Sequence, residues 1–484
     1  MPSIRTKEFT PRASEAINNP TIQKSLDRLA NFRQGRTDSI EEFGQERWDE
    51  HTKRAKEIKQ ETLGHLDHYL DMLSTNVERA GGKVFFAHDT QEANEYVAGV
   101  ARANSVKTVI KSKSMVSEEM GVADYLEGMD IEPVETDLGE YIIQLAKEAP
   151  YHIIAPALHK SKEEVSELFQ RVLGTPAESD ITALAGIARK VLREKFLQAD
   201  MGMTGANFGV AEAGTIVMVT NEGNGRMSSS LPRVHVATMG MERVIPRLSD
   251  LATFLPLLTR SATGQRITSY VAFATGPKRR NEEDGPEEFH LVILDNGRSK
   301  MLADPQLREA LYCIRCGACL NACPVYSKVG GHAYGWVYPG PIGAVVTPSI
   351  LGIPIAKDLP FASTLCGACK EVCPLDIDIP RMLLKLRSDA TEGPAGTRKP
   401  DRIESMMMRG WRMIVSSPRM FGLAGKVASI LQWPLSRNKF MRRLPPPLSG
   451  WTKSRDFPTV SAKPFHARWS AMALPSEKGN KDGK

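Results

Sequence analysis

Cysteine is scarce in this chain of 484 residues: there are seven, all between positions 313 and 373. Disulfides suit an oxidising compartment, and nothing in the chain points to secretion. Long apolar runs are missing too. The best candidate, Gly343 to Ala356, is short and is interrupted by Pro348 and Pro354, so no segment reads as a bilayer span. The first residues are polar and lack the apolar core of a signal peptide. A cytoplasmic, reducing location is the expectation, with the inner face of a membrane as a secondary site. No Gly-x-Gly-x-x-Gly follows the first expected strand and no flavin motif occurs, which leaves nicotinamide and flavin sites unsupported.

The cysteines that are present carry the most information. Cys313, Cys316, Cys319 and Cys323-Pro324 have the spacing C-x2-C-x2-C-x3-C-P, the bacterial ferredoxin run. A second copy, Ser363, Cys366, Cys369 and Cys373-Pro374, lies 50 residues on and aligns without a gap. At the ligand positions the one mismatch is Ser363. In two-cluster ferredoxins the fourth cysteine of a run ligates the other cluster. Crossed ligation therefore assigns Cys313, Cys316, Cys319 and Cys373 to one [4Fe–4S] cluster, and Cys323, Cys366 and Cys369 to a second. That second site is one thiolate short. Its fourth iron takes Ser363, water or another oxygen, or is absent, leaving a [3Fe–4S] centre. Structural zinc wants four ligands, commonly two Cys-x2-Cys pairs far apart, and does not suit seven cysteines in two unequal runs. Gly317 and Gly367 let backbone N–H groups approach cluster sulfurs. Arg315 and Lys370 stand within the runs, either as cations beside the clusters or as solvated charges.

Charge is uneven. Residues 391–484 hold 18 Lys and Arg against 6 Asp and Glu, whereas the first 390 hold 45 basic and 51 acidic side chains. The basic end needs its own explanation. Docking on an acidic partner is the first choice and an anionic membrane surface the second. Trp411, Trp433, Trp451 and Trp469 are too dispersed for a base-stacking platform, so nucleic acid is not expected.

Four regions are expected: a helical N-terminal region (1–80), an α/β domain (81–300), a two-cluster iron–sulfur domain (301–390) and a basic C-terminal segment (391–484). In the first, Leu63, Leu66, Leu70 and Leu73 form one helical face, with Gly64 a weak point. The second alternates strands (84–88, 106–111, 132–136, 152–156) with helices (to 103, 117–127, 138–147, 160–173), which argues for a mostly parallel sheet covered by helices. Asp89 caps the first of those helices. After a helix near 181–197 come a strand pair over 209–220 turning at Gly214, a polar loop over 221–226, and strands at 234–239, 269–275 and 290–294. Asp304-Pro305 opens a helix that delivers Cys313. Residues 325–362 form an ordered wrap, and a helix begins at Pro380. Residues 391–400 read as a linker, 421–433 as a helix, and the last residues as disordered.

Residues 210–216 (Val-Ala-Glu-Ala-Gly-Thr-Ile), residues 220–226 (Thr-Asn-Glu-Gly-Asn-Gly-Arg), the long-spaced pair of cysteine runs and the basic end together resemble the LutB/YkgF family, the iron–sulfur subunits of the bacterial three-protein L-lactate utilisation system. The resemblance implies an α/β LUD domain of the NagB/RpiA/CoA-transferase-like fold, then an α-helical ferredoxin domain. It implies the same crossed cysteine assignment, with the missing cysteine at Ser363 a family trait. It also implies electron transfer during oxidation of L-lactate to pyruvate. The partners would be a cysteine-rich redox subunit and a second LUD-domain protein; the electron acceptor stays open. The chain would then be a non-catalytic or co-catalytic electron-transfer subunit.

Two alternatives stand beside this. One is a redox subunit for another 2-hydroxy acid or small carboxylate. The other is a LUD-domain ligand-binding protein with a structural or sensing cluster. For a ligand pocket the candidates are Glu212, Asn221, Glu222, Asn224 and Arg226, near strand ends and a glycine-rich loop; tight-turn chemistry would explain the same residues. His235, in an expected strand, reads as a packed core residue.

Overall fold

A computed structural model describes residues 4–393, 402–437, 439–446, 448–452, 455–461 and 463–471. The chain forms two compact units, Met1–Ala390 and Thr391–Lys484. Ten strands build the α/β part of the first: β1 (Lys83–Ala87), β2 (Thr108–Lys111), β3 (Glu132–Glu135), β4 (Met201–Gly205), β5 (Phe208–Val210), β6 (Thr215–Thr220), β7 (Val234–Gly240), β8 (Val244–Ile245), β9 (Tyr270–Ala274) and β10 (Glu288–Leu294). Six of them form an all-parallel sheet in the order β1-β10-β7-β4-β2-β3. β7 is central and buried along its whole length, as a strand covered on both faces is. His235 lies inside it, fully buried, with Nε2 2.9 Å from Thr204 Oγ1. A second sheet, β8-β5-β6-β9, carries the expected corner: Gly214 takes φ 59°, and a Cβ there would press on the Asn76–Val77 backbone. Asp89 caps helix Thr90–Ala103 by accepting the Gln91 and Glu92 N–H groups.

Several local expectations change. Residues 152–156 are not a strand. Tyr151 N–H bonds Pro156 O to close a loop, and the apolar side chains pack with the cysteine region instead of joining the sheet. The 117–127 helix is broken in two at Gly121 (φ 65°). Asn224–Ser230 is a short helix, so only the start of 221–226 is loop. Asp304 caps a turn through Gln306 N–H, and the chain reaches Cys313 through the 3-10 helix Arg308–Tyr312. The wrap is ordered and contains helix Gly340–Leu351, almost entirely buried despite Pro348 within it.

The N-terminal helices hold the cysteine region as well as the sheet. Helix Gln45–Gly64 ends at the weak point and Leu66–Arg79 follows. Arg33 Nη1 donates to Asn321 O (2.9 Å), Arg36 Nη2 to Val372 O (3.1 Å), and Lys56 pairs with Asp376 (2.8 Å). One apolar core runs from these helices through the second sheet and into the cysteine runs.

The second unit contains helices Arg402–Val415 and Pro418–Leu431, three short antiparallel strands and helix Phe465–Ala471. Its first two helices expose Met406, Met407, Trp411, Phe421 and Ile430. Most of the expected linker and the expected disordered end lie outside the described residues. Among the described residues no helix is long and apolar enough to cross a membrane.

Candidate iron–sulfur centre and an adjoining cavity

The two cysteine runs fold as copies of one device. In the first, Arg315 (φ 60°) and Gly317 (φ 84°) turn the backbone, and helix Ala318–Ala322 follows. In the second, Leu365 (φ 55°) and Gly367 (φ 87°) do the same before helix Ala368–Glu371. Arg315 N–H donates to Cys313 Sγ at 3.4 Å, and Leu365 N–H donates to Ser363 Oγ at 3.1 Å. The serine hydroxyl thus occupies the place of the thiol in the other copy.

The thiols gather by space, not by run. Cys319 and Cys373 each lie within electrostatic reach of both Cys313 and Cys316, and Cys319 of Cys373 as well. Cys369 lies within reach of Cys323 and Cys366, and those two within reach of each other. Cys319 and Cys369 connect the groups. Burial, reinforced by neighbouring thiolates, pushes Cys316 up to about 11 and Cys369 up to about 12, and raises Cys319 and Cys373 as well. Exposed Cys366 moves the other way, chiefly because Ala368 N–H bonds its sulfur. Backbone N–H groups also reach Cys316 (from Ala318), Cys323 (from Tyr326) and Cys373 (from Leu375 and Ile377). Such N–H···S contacts are what iron–sulfur sulfurs accept, so the residues fit that cofactor. Among the described residues no three His, Cys, Asp or Glu side chains converge as tightly as a single metal ion requires.

Cations surround the first group. Arg36 acts on Cys316 and Cys373, while Lys59, Arg243 and Arg315 act on Cys313. The Lys370 side chain instead pairs with Asp378 at 2.9 Å, while its backbone N–H reaches the Cys369 sulfur. Behind Arg315 is a buried charge network. Arg298 spans Glu119 (2.8 Å) and Glu242 (2.7 Å), Tyr338 OH donates to Glu119, and Lys59 donates to Glu242 O. Arg315 lies 4.6 Å over the Tyr338 ring and 3.8 Å from Glu242. None of Lys59, Glu119, Glu242, Arg243 and Arg298 stood out in the sequence. The available signal was position: Glu242 and Arg243 directly follow the C-terminal end of β7, where parallel sheets place ligands.

Asn321, inside the first run, ties the region to the α/β part. Its Oδ1 is 3.0 Å from His152 Nε2 and its Nδ2 donates to Ala262 O. Burial lowers His152 to about 4. The folded state therefore rejects a proton that the unfolded chain accepts below 6.5. Stability from this group is complete above that pH and fades as pH falls toward 4, by about 3 kcal/mol in total. The denaturation midpoint is expected to drop between pH 7 and pH 5, and His152→Gln to flatten the slope; an unchanged slope would contradict the assignment.

A cavity of about 360 Å³ opens at the C-terminal ends of β2, β4 and β7. Asn221, Glu222 and Asn224 line it. Glu212 and Arg226 do not: the Glu212 carboxylate accepts Leu248 N–H at 2.6 Å, and Arg226 is exposed on helix Asn224–Ser230. Lys113, Arg243 and Arg315 line it as well.

Three family models match in succession: LUD domain over 70–294, 4Fe-4S dicluster domain over 309–377, and the C-terminal region of lactate utilisation protein B over 385–473. "Lactate utilization protein B" of Oceanobacillus iheyensis is 44% identical over 466 residues, 96% of each chain. The chain belongs to the lactate utilization protein B family. Members from Bacillus subtilis (43% identical, 98% of each chain) and Macrococcus caseolyticus (47%, 92% of each) agree. A solved DUF162 family protein from Deinococcus radiodurans is 12% identical, with a TM-score of 0.27 over 47% of this chain and 98% of its own. The dicluster match supports an iron–sulfur cofactor in this family member, and the mostly parallel sheet with its covering helices is the fold of its LUD region.

Proposed function

We propose that this chain is the electron-transfer subunit of an L-lactate-oxidising complex and holds two clusters. A [4Fe–4S] cluster would be held by Cys313, Cys316, Cys319 and Cys373, and a second, open-sited centre by Cys323, Cys366 and Cys369 with Ser363 beside it. The observation that carries this reading is the grouping of thiols across the two runs. When bound, such clusters supply one-electron chemistry. The chain's own part is to bury the first group among cations, which favour the more negative reduced state, and to leave Cys366 of the second open to a partner. Lactate enters from the names of the relatives. The partners would be a cysteine-rich redox subunit and a second LUD-domain protein.

The test is anaerobic EPR with L-lactate and both partner subunits. Cluster reduction only when all are present is expected; full iron with no lactate-driven reduction would move the relay to another substrate.

The basic second unit, with exposed Trp411 and Phe421, suits docking on an acidic partner subunit. Deleting residues 391–484 should abolish co-purification with the partners and leave the iron content intact. Retained assembly would refute docking; loss of sedimentation with anionic vesicles in that case would place the segment on a membrane.

A further inference from the structure

The cavity beside the first thiol group has features that electron transfer does not require. Its walls come from both parts of the fold: Ser114, Asn207 and Thr238 at the sheet's C-terminal ends, and Arg315 from the first cysteine run. Arg315 reaches in both directions. Its backbone N–H bonds Cys313 Sγ at 3.4 Å, the residue lines the cavity, and its guanidinium Nη1 is buried without a hydrogen-bond partner. Arg243 lines the same wall, is also buried, and touches Glu242 only at 3.8 Å. A buried guanidinium with unsatisfied donors is costly unless an anion meets it.

Glu119 and Glu242 both pair with Arg298, so Glu242 is shared among three guanidinium groups and meets Arg243 and Arg315 only at 3.8 Å. Lys113 is already engaged: it donates to Ile154 O at 2.9 Å, with Asp137 and Glu222 lining the cavity near it. A planar carboxylate matches the guanidinium fork. The volume is at the small end of the range for ligand sites.

We propose that this cavity binds the carboxylate of a small organic acid between Arg243 and Arg315, in contact with the residue that supports Cys313. Thr238 donates to Thr204 O, Ser114 Oγ accepts Ser117 N–H and Asn207 Oδ1 accepts Val219 N–H, which leaves the Asn207 amide N–H groups to meet a polar substituent next to the carboxylate. The inference deepens the function proposed above by placing the small acid on this subunit, and it rests on that reading for the neighbouring cluster.

The experiment is calorimetric titration of anaerobic, cluster-loaded full-length protein with L-lactate, pyruvate or inorganic phosphate, together with EPR of the reduced protein. Expected are binding of at least one carboxylate, a shift in the signal of the first cluster on binding, and no comparable binding of phosphate. Arg243→Met, with iron content retained, should weaken carboxylate binding by about tenfold or more, since a charged hydrogen bond contributes about 1.5–3 kcal/mol. Arg226→Ala, outside the cavity, should leave it unchanged. If Arg243→Met fails to fold, the titration and EPR on the unaltered protein decide. Loaded clusters with no carboxylate binding, or phosphate binding as well as the carboxylates, would overturn the inference and leave the electron-transfer reading intact. Failure to load clusters would count against that reading instead.

Discussion

Cys373→Ala is expected to remove the complete four-thiolate centre, although the residue lies in the second run. It shares its surroundings with Cys313, Cys316 and Cys319. Iron should fall from about seven or eight per chain to about three or four, and the surviving signal should be that of the open-sited centre. Cys323→Ala should do the reverse, removing the open-sited centre and leaving about four irons in an all-cysteine cubane. If each run instead held its own cluster, the two outcomes would be exchanged. The pair of variants therefore separates crossed from uncrossed ligation by which spectrum survives, independently of any activity. Ser363→Cys adds a finer check: it should convert the second centre to full occupancy, because Ser363 Oγ accepts the N–H bond that Cys313 Sγ accepts in the other copy.

Arg298→Met should be the most destabilising single change outside the cysteines. Arg298, Glu119 and Glu242 are almost completely inaccessible to solvent. Removing the guanidinium leaves Glu119 with only the neutral Tyr338 and Asn296 donors and Glu242 with Arg243 and Arg315 at 3.8 Å, a loss of about 3–5 kcal/mol for a broken buried pair. The damage would reach the cysteine region, since Glu119 receives Tyr338 OH and Glu242 faces Arg315. Denaturant titration should show the lowered midpoint, and a variant within about 1 kcal/mol of the parent would contradict the network's role. The network also predicts acid sensitivity. Burial alone would raise Glu242, but Arg298, Arg243 and Arg315 override it and hold the carboxyl at about 2; Glu119 is lowered by the same contest with Arg298. Because both folded-state values are depressed, their stabilisation is present above the usual carboxylate range and is lost as pH falls through it toward 2.

The cysteine runs, the Asp89 cap, the Gly214 corner and the parallel sheet were legible because each rests on short-range rules: ligand spacing, capping, positive φ and apolar periodicity. Helix Gly340–Leu351 was not, since its Gly and Pro content argues against helix and only burial on all sides makes it stable. Residues 152–156 read as a strand on composition, yet their partner is the cysteine region and not the sheet. The candidate pocket was legible in half. Asn221, Glu222 and Asn224 do line a cavity, but its cations come from Lys113, Arg243 and Arg315, separated by up to 202 positions in sequence. Which of the 63 basic residues are buried together is a tertiary fact that spacing does not encode.

The most direct test of the central claim is anaerobic iron and acid-labile sulfide analysis, with EPR, on the purified full-length chain. Two centres are predicted: about seven to eight irons, one all-cysteine cubane and one open-sited or three-iron centre coupled to it. About four irons with a single signal, or two identical all-cysteine cubanes, would contradict the account.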